Sequence, residues 1–307
     1  MAASSSRPLR LGGCVVVDWN FLFVNILNGV VYGAFLLLTS LGLSLVFGLG
    51  RVVNFAHGAL YAMGGYALIA VMYGVGVGYW LGLVVAPLLV IPIAMAIERA
   101  TIRPIRQRPD VDTLLVTFGL SSMIVGGIEY VWGTGTKLLP PPAPFAATVD
   151  VLGNQYPLYR LVAAIVSLLV SAGVLAVIQF TPIGLRIRAI TDDPGMAEAL
   201  GVNRKWLLTL VFGCAAGLAA LAGALGAPVF AIHPEMGMNI LIDSFLVVVL
   251  GGLGSLTGSV IGAFFVSLTK SIGGGYFAEW STAFLFLVVA MALILRPTGI
   301  FGRGRVA

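Results

Sequence analysis

Long apolar stretches, almost free of charged residues, follow one another along the whole chain. Charged residues make up 9% of the 307 residues, whereas a soluble domain carries about 25% because water must solvate its surface. A helix needs about 20 apolar residues to cross the hydrocarbon core of a membrane. About eight such stretches occur, at 21–49, 55–74, 79–98, 113–132, 158–180, 207–230, 240–271 and 279–296. The sequence therefore predicts an all-α, polytopic membrane helical bundle.

Arginine and lysine residues collect in short groups between these stretches. One group follows the third stretch, from Arg99 to Arg108, another brackets the segment 181–206, and a third closes the chain from Arg296 onward. Basic residues that flank membrane helices mark the cytoplasmic side, so we expect all three groups there. This pattern accounts for the net charge of +5 without nucleic acid as a partner.

The other connections complete the predicted topology. The proline-rich connection 133–157 and the short segment 231–239 hold few basic residues and are expected to face outward. The predicted regions are a cytoplasmic N-terminal tail at 1–20, a transmembrane domain at 21–300 with a cytoplasmic loop at 181–206, and a cytoplasmic C-terminal tail at 301–307.

Two apolar regions are interrupted by glycine. Residues 240–271 are too long for one ordinary crossing and contain glycines around Gly252. A chain that starts outside near residue 235 and ends in the cytoplasm must cross an odd number of times, which requires a broken helix or hairpin there. The region 21–74 is likewise interrupted at 48–51. Matching interruptions in two halves point to a substrate path and a duplicated core; two unrelated glycine-rich helices are the alternative.

Polar side chains occur at these interruptions. A buried polar group inside a membrane marks either a functional site or a satisfied internal contact. We therefore predict Asn54, His57, Gly58, Gly252 and Ser255 as substrate-path candidates. For Asn54 and His57, hydrogen bonds that hold the break are the alternative. His57 has no second metal ligand at a suitable spacing, so no metal site is predicted.

The segment 181–206 contains the signals of a short capped helix. Asp192 or Asp193 can cap it, Pro194 suits its first position and Gly201 suits its C-terminal stop. A short helix between two membrane helices on the cytoplasmic side is well suited to docking on a partner that pushes on it. An ordinary interfacial connector is the alternative.

Three acidic residues lie within or at the ends of the predicted membrane stretches. Glu98 is expected to pair with the adjoining Arg99 at a cytoplasmic helix end. Glu129 and Asp243 are expected near the outer face, where water reaches them, and contact with the ammonium group of a zwitterionic substrate is the alternative. The small residues of 213–217 are expected to pack within the subunit, with a contact between subunits as the alternative.

The residues give no support to an enzymatic function. The sequence has no Gly-x-x-x-x-Gly-Lys-Ser/Thr nucleotide-binding run and no nucleophile and base set for chemistry at membrane depth. Any nucleotide hydrolysis must then take place in another chain. A stand-alone secondary transporter or channel is a rival function, and a proton-coupled carrier is expected to bury a carboxylate near the membrane midplane.

Four motifs occur in a fixed order along the chain. They are Asn-Phe-Ala-His-Gly at 54–58, Gly-Leu-Arg-x-Arg-Ala-x-x-x-Asp-Pro-x-x-Ala-x-x-x-Gly-Val at 184–202, Val-Leu-Gly-Gly-Leu-Gly-Ser-Leu-x-Gly at 249–258 and Arg-Pro-Thr-Gly-Ile-Phe-Gly at 296–302. Together they resemble the branched-chain amino acid permeases of ABC importers, and in particular the subunit of the pair that lacks a long N-terminal extension.

The resemblance implies a permease subunit in a bacterial inner membrane, with several partners. These are a homologous sister permease, two ATP-binding subunits, a periplasmic or lipoprotein solute-binding protein, and the membrane lipid. This chain itself needs no cofactor, because the partner subunits bind ATP and Mg. Family members carry leucine, isoleucine and valine, and others carry urea, short amides or aromatic acids. The residues expected to couple to the ATPase are Arg186, Arg188, Asp192, Asp193, Pro194, Ala197, Glu198 and Gly201.

Overall fold

A computed structural model describes residues 10–11, 14–15, 19–50, 54–106, 108–276, 278–296 and 299–301, with the first two pairs described as backbone alone. The helices are α1 Trp19–Gly50, α2 Ala56–Ile69, α3 Tyr79–Ile97, α4 Arg103–Ile105, α5 Asp110–Trp132, α6 Leu158–Phe180, α7 Pro182–Asp192, α8 Pro194–Ala199, α9 Arg204–Gly226, α10 Met236–Gly251, α11 Leu256–Tyr276 and α12 Ser281–Leu295. Wider helical turns at Ala70–Gly74 and Glu98–Ile102 extend α2 and α3.

Strands are short in the described part of the chain. Two antiparallel pairs are formed by β1 Arg10–Leu11 with β2 Cys14–Val15 and by β3 Thr148–Val151 with β4 Asn154–Pro157. In the second pair Val149 lies opposite Tyr156. The molecule is therefore a helical bundle, with one small hairpin in the predicted outer connection 133–157.

Seven of the described helical segments are long and apolar enough to cross a membrane. α10 is apolar but has 16 residues, and α2 has 14 before its extension. The predicted stretch 240–271 is two helices, α10 and α11, while most of the other predicted stretches coincide with one helix each. The prediction of a polytopic helical bundle is confirmed.

The centre of the bundle is formed by α1 and α9. In the most apolar 18-residue stretch of α1, 83% of the residues are buried by the rest of the chain, and in that of α9 78% are buried. In the span Ala278–Leu295, which contains α12, the figure is 11%. Small residues allow this close packing. A side chain added at Gly213 or Gly217 of α9 would run into Met95 or Ile91 of α3. The small-residue face at 213–217 therefore packs within the subunit, as expected.

The glycine-rich break between α10 and α11 is a tight helical hairpin. Gly251 of α10 packs against Gly258 of α11, with the backbones in direct contact. The turn between them uses Gly252 at a φ of 100° and Gly254 at a φ of 80°, a conformation that only glycine adopts without strain. Together with α12 the hairpin makes three passes, which is the odd number that the predicted topology required.

The break between α1 and α2 brings the chain back into the bundle. α1 ends at Gly50, yet His57, near the start of α2, bonds to the backbone carbonyl of Thr39. Thr39 lies 11 residues before the end of α1, about 17 Å at 1.5 Å per residue. α2 therefore starts well inside the bundle rather than beside the end of α1. Residues 51–53 lie outside the described residues.

The bundle has two ends, which we name by their contents. The cavity end contains β3, β4 and the start of α6, and the coupling end contains α7 and α8. Asn28 in the first third of α1 accepts a hydrogen bond from Tyr156 of β4 over 2.8 Å. Leu45 and Leu49, near the other end of α1, pack in one cluster with residues of α7 and α8. α1 thus runs from the cavity end to the coupling end.

The course of α1 also bears on the predicted N-terminal tail at 1–20. Most of the predicted tail 1–20 lies outside the described residues, but α1 begins at Trp19, at the end opposite the segment 181–206. The start of α1 and that segment therefore lie at opposite ends of the bundle, and the cytoplasmic side of the tail stays a prediction. α1, α2 and α3 make three consecutive passes, so the basic group after α3 lies at the coupling end.

Candidate functional site

Asn54 and His57, the two polar substrate-path candidates, are buried and hold the break between α1 and α2. Each is 1% exposed. The side chain of Asn54 accepts a hydrogen bond from the Ala56 backbone N–H over 3.1 Å, and the His57 ring lies 3.0 Å from the Thr39 carbonyl oxygen. Both side chains therefore have structural partners. No group of three or more His, Cys, Asp or Glu side chains that could hold a metal ion occurs among the described residues.

The other three candidates also serve the packing of helix ends. A side chain at Gly58 would collide with the Gly237 carbonyl at the start of α10. Ser255 caps α11, because its Oγ accepts a hydrogen bond from the Gly258 N–H over 3.1 Å. Gly252 forms the α10–α11 turn and is approached by Gly299 of the C-terminal segment. The structure does not bring the five candidates into one site, and their role in a substrate path stays a prediction.

A pocket among the described residues lies at the cavity end. It has a volume of about 380 Å³, which falls in the usual range for small-molecule sites. α1, α6, α11, β4 and the segment before α10 each contribute to its wall. The lining residues are Asn28, Val31, Tyr32, Tyr156, Arg160, Val229, Phe230, Lys270 and Ser271.

A buried carboxylate stands behind one wall of this cavity. Asp243 of α10 is 4% exposed, and its Oδ2 accepts hydrogen bonds from Lys270 and, over 2.5 Å, from Tyr32. The Lys270 Nζ also lies 5.3 Å from the centre of the Tyr32 ring. The expectation that water reaches Asp243 is wrong, because the side chain is buried. A buried charge requires partners, and Lys270 and Tyr32 supply them.

A second basic residue also lines the cavity. Arg160, in the first turn of α6, donates a hydrogen bond to Asn28 over 3.3 Å, and Asn28 also accepts one from Tyr156. Burial raises the pKa of the Tyr156 phenol, and the nearby Arg160 partly opposes this shift. The phenol therefore stays protonated and is available as a donor at neutral pH.

Sequence reasoning missed Arg160 and Lys270 as site residues. Each lies within a predicted membrane stretch, 158–180 and 240–271. A cation inside an apolar stretch is costly and tends to mark a pathway or a paired charge. That signal was present, but only the fold shows that α6 and α11 bring the two cations to one cavity.

Glu98 occupies a second buried polar site, toward the coupling end. Its side chain is fully buried and pairs with Arg106 over 2.6 Å, while its second oxygen accepts a hydrogen bond from Thr209 of α9 over 2.6 Å. The expected pairing with Arg99 is therefore wrong, because Arg106, eight residues along the chain, holds the carboxylate instead. Burial lowers the pKa of the Arg106 guanidinium, and Glu98 opposes this shift.

The segment 181–206 contains two capped helices rather than one. Thr181 caps α7 by accepting a hydrogen bond from the Gly184 N–H over 3.3 Å. Asp193 caps α8 by accepting one from the Met196 N–H over 3.0 Å, and Pro194 holds the first position of α8. Gly201 follows α8 at a φ of 86°. The predicted capped helix corresponds to α8, while α7 was not foreseen.

Some of the predicted coupling residues contact neighbouring helices, and most of them keep exposed surface. Arg188 donates to the backbone carbonyls of Ile178 and Gln179 and ties α7 to the end of α6. Ala197 is buried in the cluster that includes Leu45 of α1. Glu198 lies 3.8 Å from Arg204 at the start of α9. The residues with exposed surfaces are Arg186, Arg188, Asp192, Asp193, Glu198 and Gly201, with Pro194 half-buried.

The outer surface of α7 and α8 is also apolar, which the sequence prediction left out. Leu185, Met196 and Leu200 are 61%, 60% and 77% exposed. We call these three side chains the coupling surface. Exposed apolar groups of this kind, next to charged ones, suit contact with a protein partner.

Comparison with known proteins gives a consistent set of similarities. A family model described as "Branched-chain amino acid transport system / permease component" matches residues 25–294. The chain is 28% identical over 299 residues to the high-affinity branched-chain amino acid transport system permease protein LivH of Escherichia coli K12, covering 91% of this chain and 95% of LivH.

Two further relatives extend the comparison. The permease protein BraD of Pseudomonas aeruginosa, from a system of the same description, is 28% identical over 294 residues, covering 92% of this chain and 96% of BraD. The permease protein LivM of Escherichia coli K12 is 23% identical over 289 residues, covering 86% of this chain and 67% of LivM.

Proposed function

This chain belongs to the branched-chain amino acid transport permease family, and from that membership we propose that it is the transmembrane permease subunit of an ATP-driven importer for branched-chain or related small amino acids. The subunit forms part of the translocation path. Hydrolysis of ATP takes place in partner subunits, and this chain takes up the resulting motion through α7 and α8.

One structural observation carries this proposal. α1 is a single unbroken helix that lines the cavity with Asn28, Val31 and Tyr32 and packs on the coupling segment with Leu45 and Leu49. From Tyr32 to Leu45 is 13 residues, about 20 Å along the helix axis. A displacement of α7 and α8 can therefore reach the cavity wall through one rigid element.

The proposed assembly contains several partners. The chain is similar to LivH over nearly its whole length and, more distantly, to LivM, which supports pairing with a homologous sister permease. The assembly contains two ATP-binding subunits, one of which docks on the coupling surface of this chain, and a periplasmic or lipoprotein solute-binding protein docks at the cavity end. ATP and Mg bind in the partner subunits.

The proposed orientation follows from these contacts and from the basic residues. Arg106, the segment 181–206 and Arg296 gather at the coupling end, which we assign to the cytoplasmic face of a bacterial inner membrane. β3, β4 and the beginning of α1 then face outward. The C-terminal segment faces the cytoplasm, because Ile300 donates a backbone hydrogen bond to the Leu250 carbonyl beside the α10–α11 turn.

The geometry suggests a sequence of steps for transport. The binding protein delivers its ligand at the cavity end while the cavity is open outward. ATP-driven closure of the partner subunits displaces α7 and α8, and the cluster around Ile187 and Ala197 passes this motion to α1 and α9. The breaks at α1–α2 and α10–α11, held by glycine contacts, are the places where helices can change their relative angle.

The decisive test of this proposal is replacement of the coupling surface by charge. We expect the Met196→Glu and Leu200→Glu double variant to lose copurification with the ATP-binding subunits, and to lose ATP-driven leucine uptake in proteoliposomes, because a buried apolar contact would gain two unpaired charges. Leu138→Glu is the matched control, since Leu138 is 81% exposed on the connection 133–157. Wild-type assembly and uptake by the double variant would rule out docking at this surface.

A further inference from the structure

We propose that the cavity lined by Arg160 and Lys270 is a carboxylate-binding site, in which these two residues together hold the carboxylate group of the transported amino acid. This inference rests on the proposed function, because it names the part of the solute that the permease recognises. It concerns two residues that neither the sequence motifs nor the family likeness singles out.

The charge of the cavity wall favours an anion. Arg160 and Lys270 both line the cavity, and no acidic residue is among its lining residues. Asp243 lies behind Lys270 and offsets one positive charge. Arg160 forms no ion pair with an acidic side chain in the described part of the chain, so among these residues the wall keeps one uncompensated positive charge. Placing an unpaired cation beside an apolar cavity is unfavourable, and a bound carboxylate would supply the missing partner.

Both cations are held in position before any solute arrives. The Lys270 ammonium is fixed by the buried Asp243, which Tyr32 holds in turn, and the Lys270 side chain stays 36% exposed. Arg160 uses one nitrogen on Asn28, and its guanidinium has further N–H donors in a planar fork that matches a carboxylate. Groups held in this way lose less conformational entropy when a ligand binds.

The remaining lining narrows the class of solute. Val31, Val229 and Phe230 supply apolar surface beside the two cations. A small molecule with a carboxylate and an aliphatic side chain satisfies both parts of the wall. Urea and short amides carry no negative charge for Arg160, so the cavity favours amino acids over these alternative cargoes, while an aromatic acid would satisfy the cations as well.

The first experiment uses the complete transporter with its partner subunits and binding protein in proteoliposomes. We expect Arg160→Gln to lower ATP-driven leucine uptake by roughly tenfold or more, the usual effect of losing one hydrogen-bonded charge contact. ATP hydrolysis stimulated by the binding protein should stay near the wild-type rate, so the ATP consumed per leucine rises. Lys270→Gln should act in the same direction, and Arg160→Lys should restore part of the uptake.

A matched control and a second measurement keep the test independent of folding. Lys137→Gln removes a cation from the same end of the bundle but not from the cavity wall, and should leave uptake unchanged. For the unaltered complex without binding protein, we expect leucine to bind at least roughly tenfold more tightly than leucinamide, which lacks the carboxylate charge. Equal binding of the two, or normal uptake by Arg160→Gln, overturns the inference. Failure of the wild-type complex to import leucine would instead contradict the proposed function.

Discussion

At the scale of single residues, the two buried carboxylates Glu98 and Asp243 are held by specific partners. Glu98 and Asp243 each lie in a nearly waterless setting, and each has a basic and a hydroxyl partner. This arrangement differs from that of a proton-coupled carrier, whose carboxylate must exchange a proton during transport. Both carboxylates instead join helices: Glu98 joins the end of α3 to α9, and Asp243 joins α10 to α1 and α11.

The Glu98 contact yields a stability prediction. Glu98→Gln leaves the half-buried Arg106 without its counter-charge, and breaking a buried ion pair costs about 3 kcal/mol. We expect a clearly lower thermal unfolding midpoint for the purified variant in detergent. Asp112→Asn is the matched control, because Asp112 and Arg108 form an exposed pair at 4.0 Å that contributes about 0.5 kcal/mol or less. Equal midpoints for both variants would contradict the structural role of Glu98.

At the scale of elements, glycine contacts set how closely the helices approach. Gly58 of α2 and Gly237 of α10 bring two helix starts into backbone contact, and Gly251 and Gly258 do the same for the α10–α11 hairpin. These contacts lie at the two interruptions of the apolar regions. The glycines therefore serve first as packing surfaces, and they also leave the helix ends free of side chains that would block a change of angle.

The α2–α10 contact can be tested with alanine. Gly58→Ala should lower the yield of folded protein and its leucine uptake, because the added methyl group meets the Gly237 carbonyl, and such overpacking costs about 1–3 kcal/mol. Gly119→Ala is the control within α5, where a methyl group meets nothing within 4 Å and helix propensity favours alanine by up to about 1 kcal/mol. Folded yield by size-exclusion chromatography and uptake together measure both effects. Normal yield and uptake for Gly58→Ala would show that α2 and α10 tolerate separation.

At the scale of the whole molecule, the course of the chain places the start of α1 and the coupling segment at opposite ends. α6 separates the same two ends, since it begins beside the cavity and runs directly into α7. Its 23 residues span about 34 Å, which matches the thickness of a membrane core. The cavity and the coupling surface therefore face the two aqueous sides of the bilayer in the proposed orientation.

Labelling of single cysteines tests this orientation. In a background with Cys14 and Cys214 replaced by serine, Trp19→Cys and Leu138→Cys should react with a membrane-impermeant maleimide in intact spheroplasts. Met196→Cys should react only after permeabilisation. All three native side chains are exposed, at 78%, 81% and 60%. If Trp19→Cys and Met196→Cys react from the same side, the single-pass course of α1 is wrong.

The sequence by itself determined that this chain is a membrane bundle, where its helices break and where α8 is capped. These properties depend on local composition: apolar run length, glycine at the breaks, and Asp193 with Pro194 at a helix start. Only the tertiary structure decided that Glu98 pairs with Arg106, that Asp243 is buried, and that Arg160 and Lys270 meet at one cavity. Asp243 contacts Tyr32 and Lys270 from distant parts of the chain, and Glu98, eight residues from Arg106, is also held by the distant Thr209. These contacts therefore depend on how the helices pack. The placement of the start of α1 opposite the segment 181–206 followed from the fold for the same reason, because it depends on counting passes through short and broken helices.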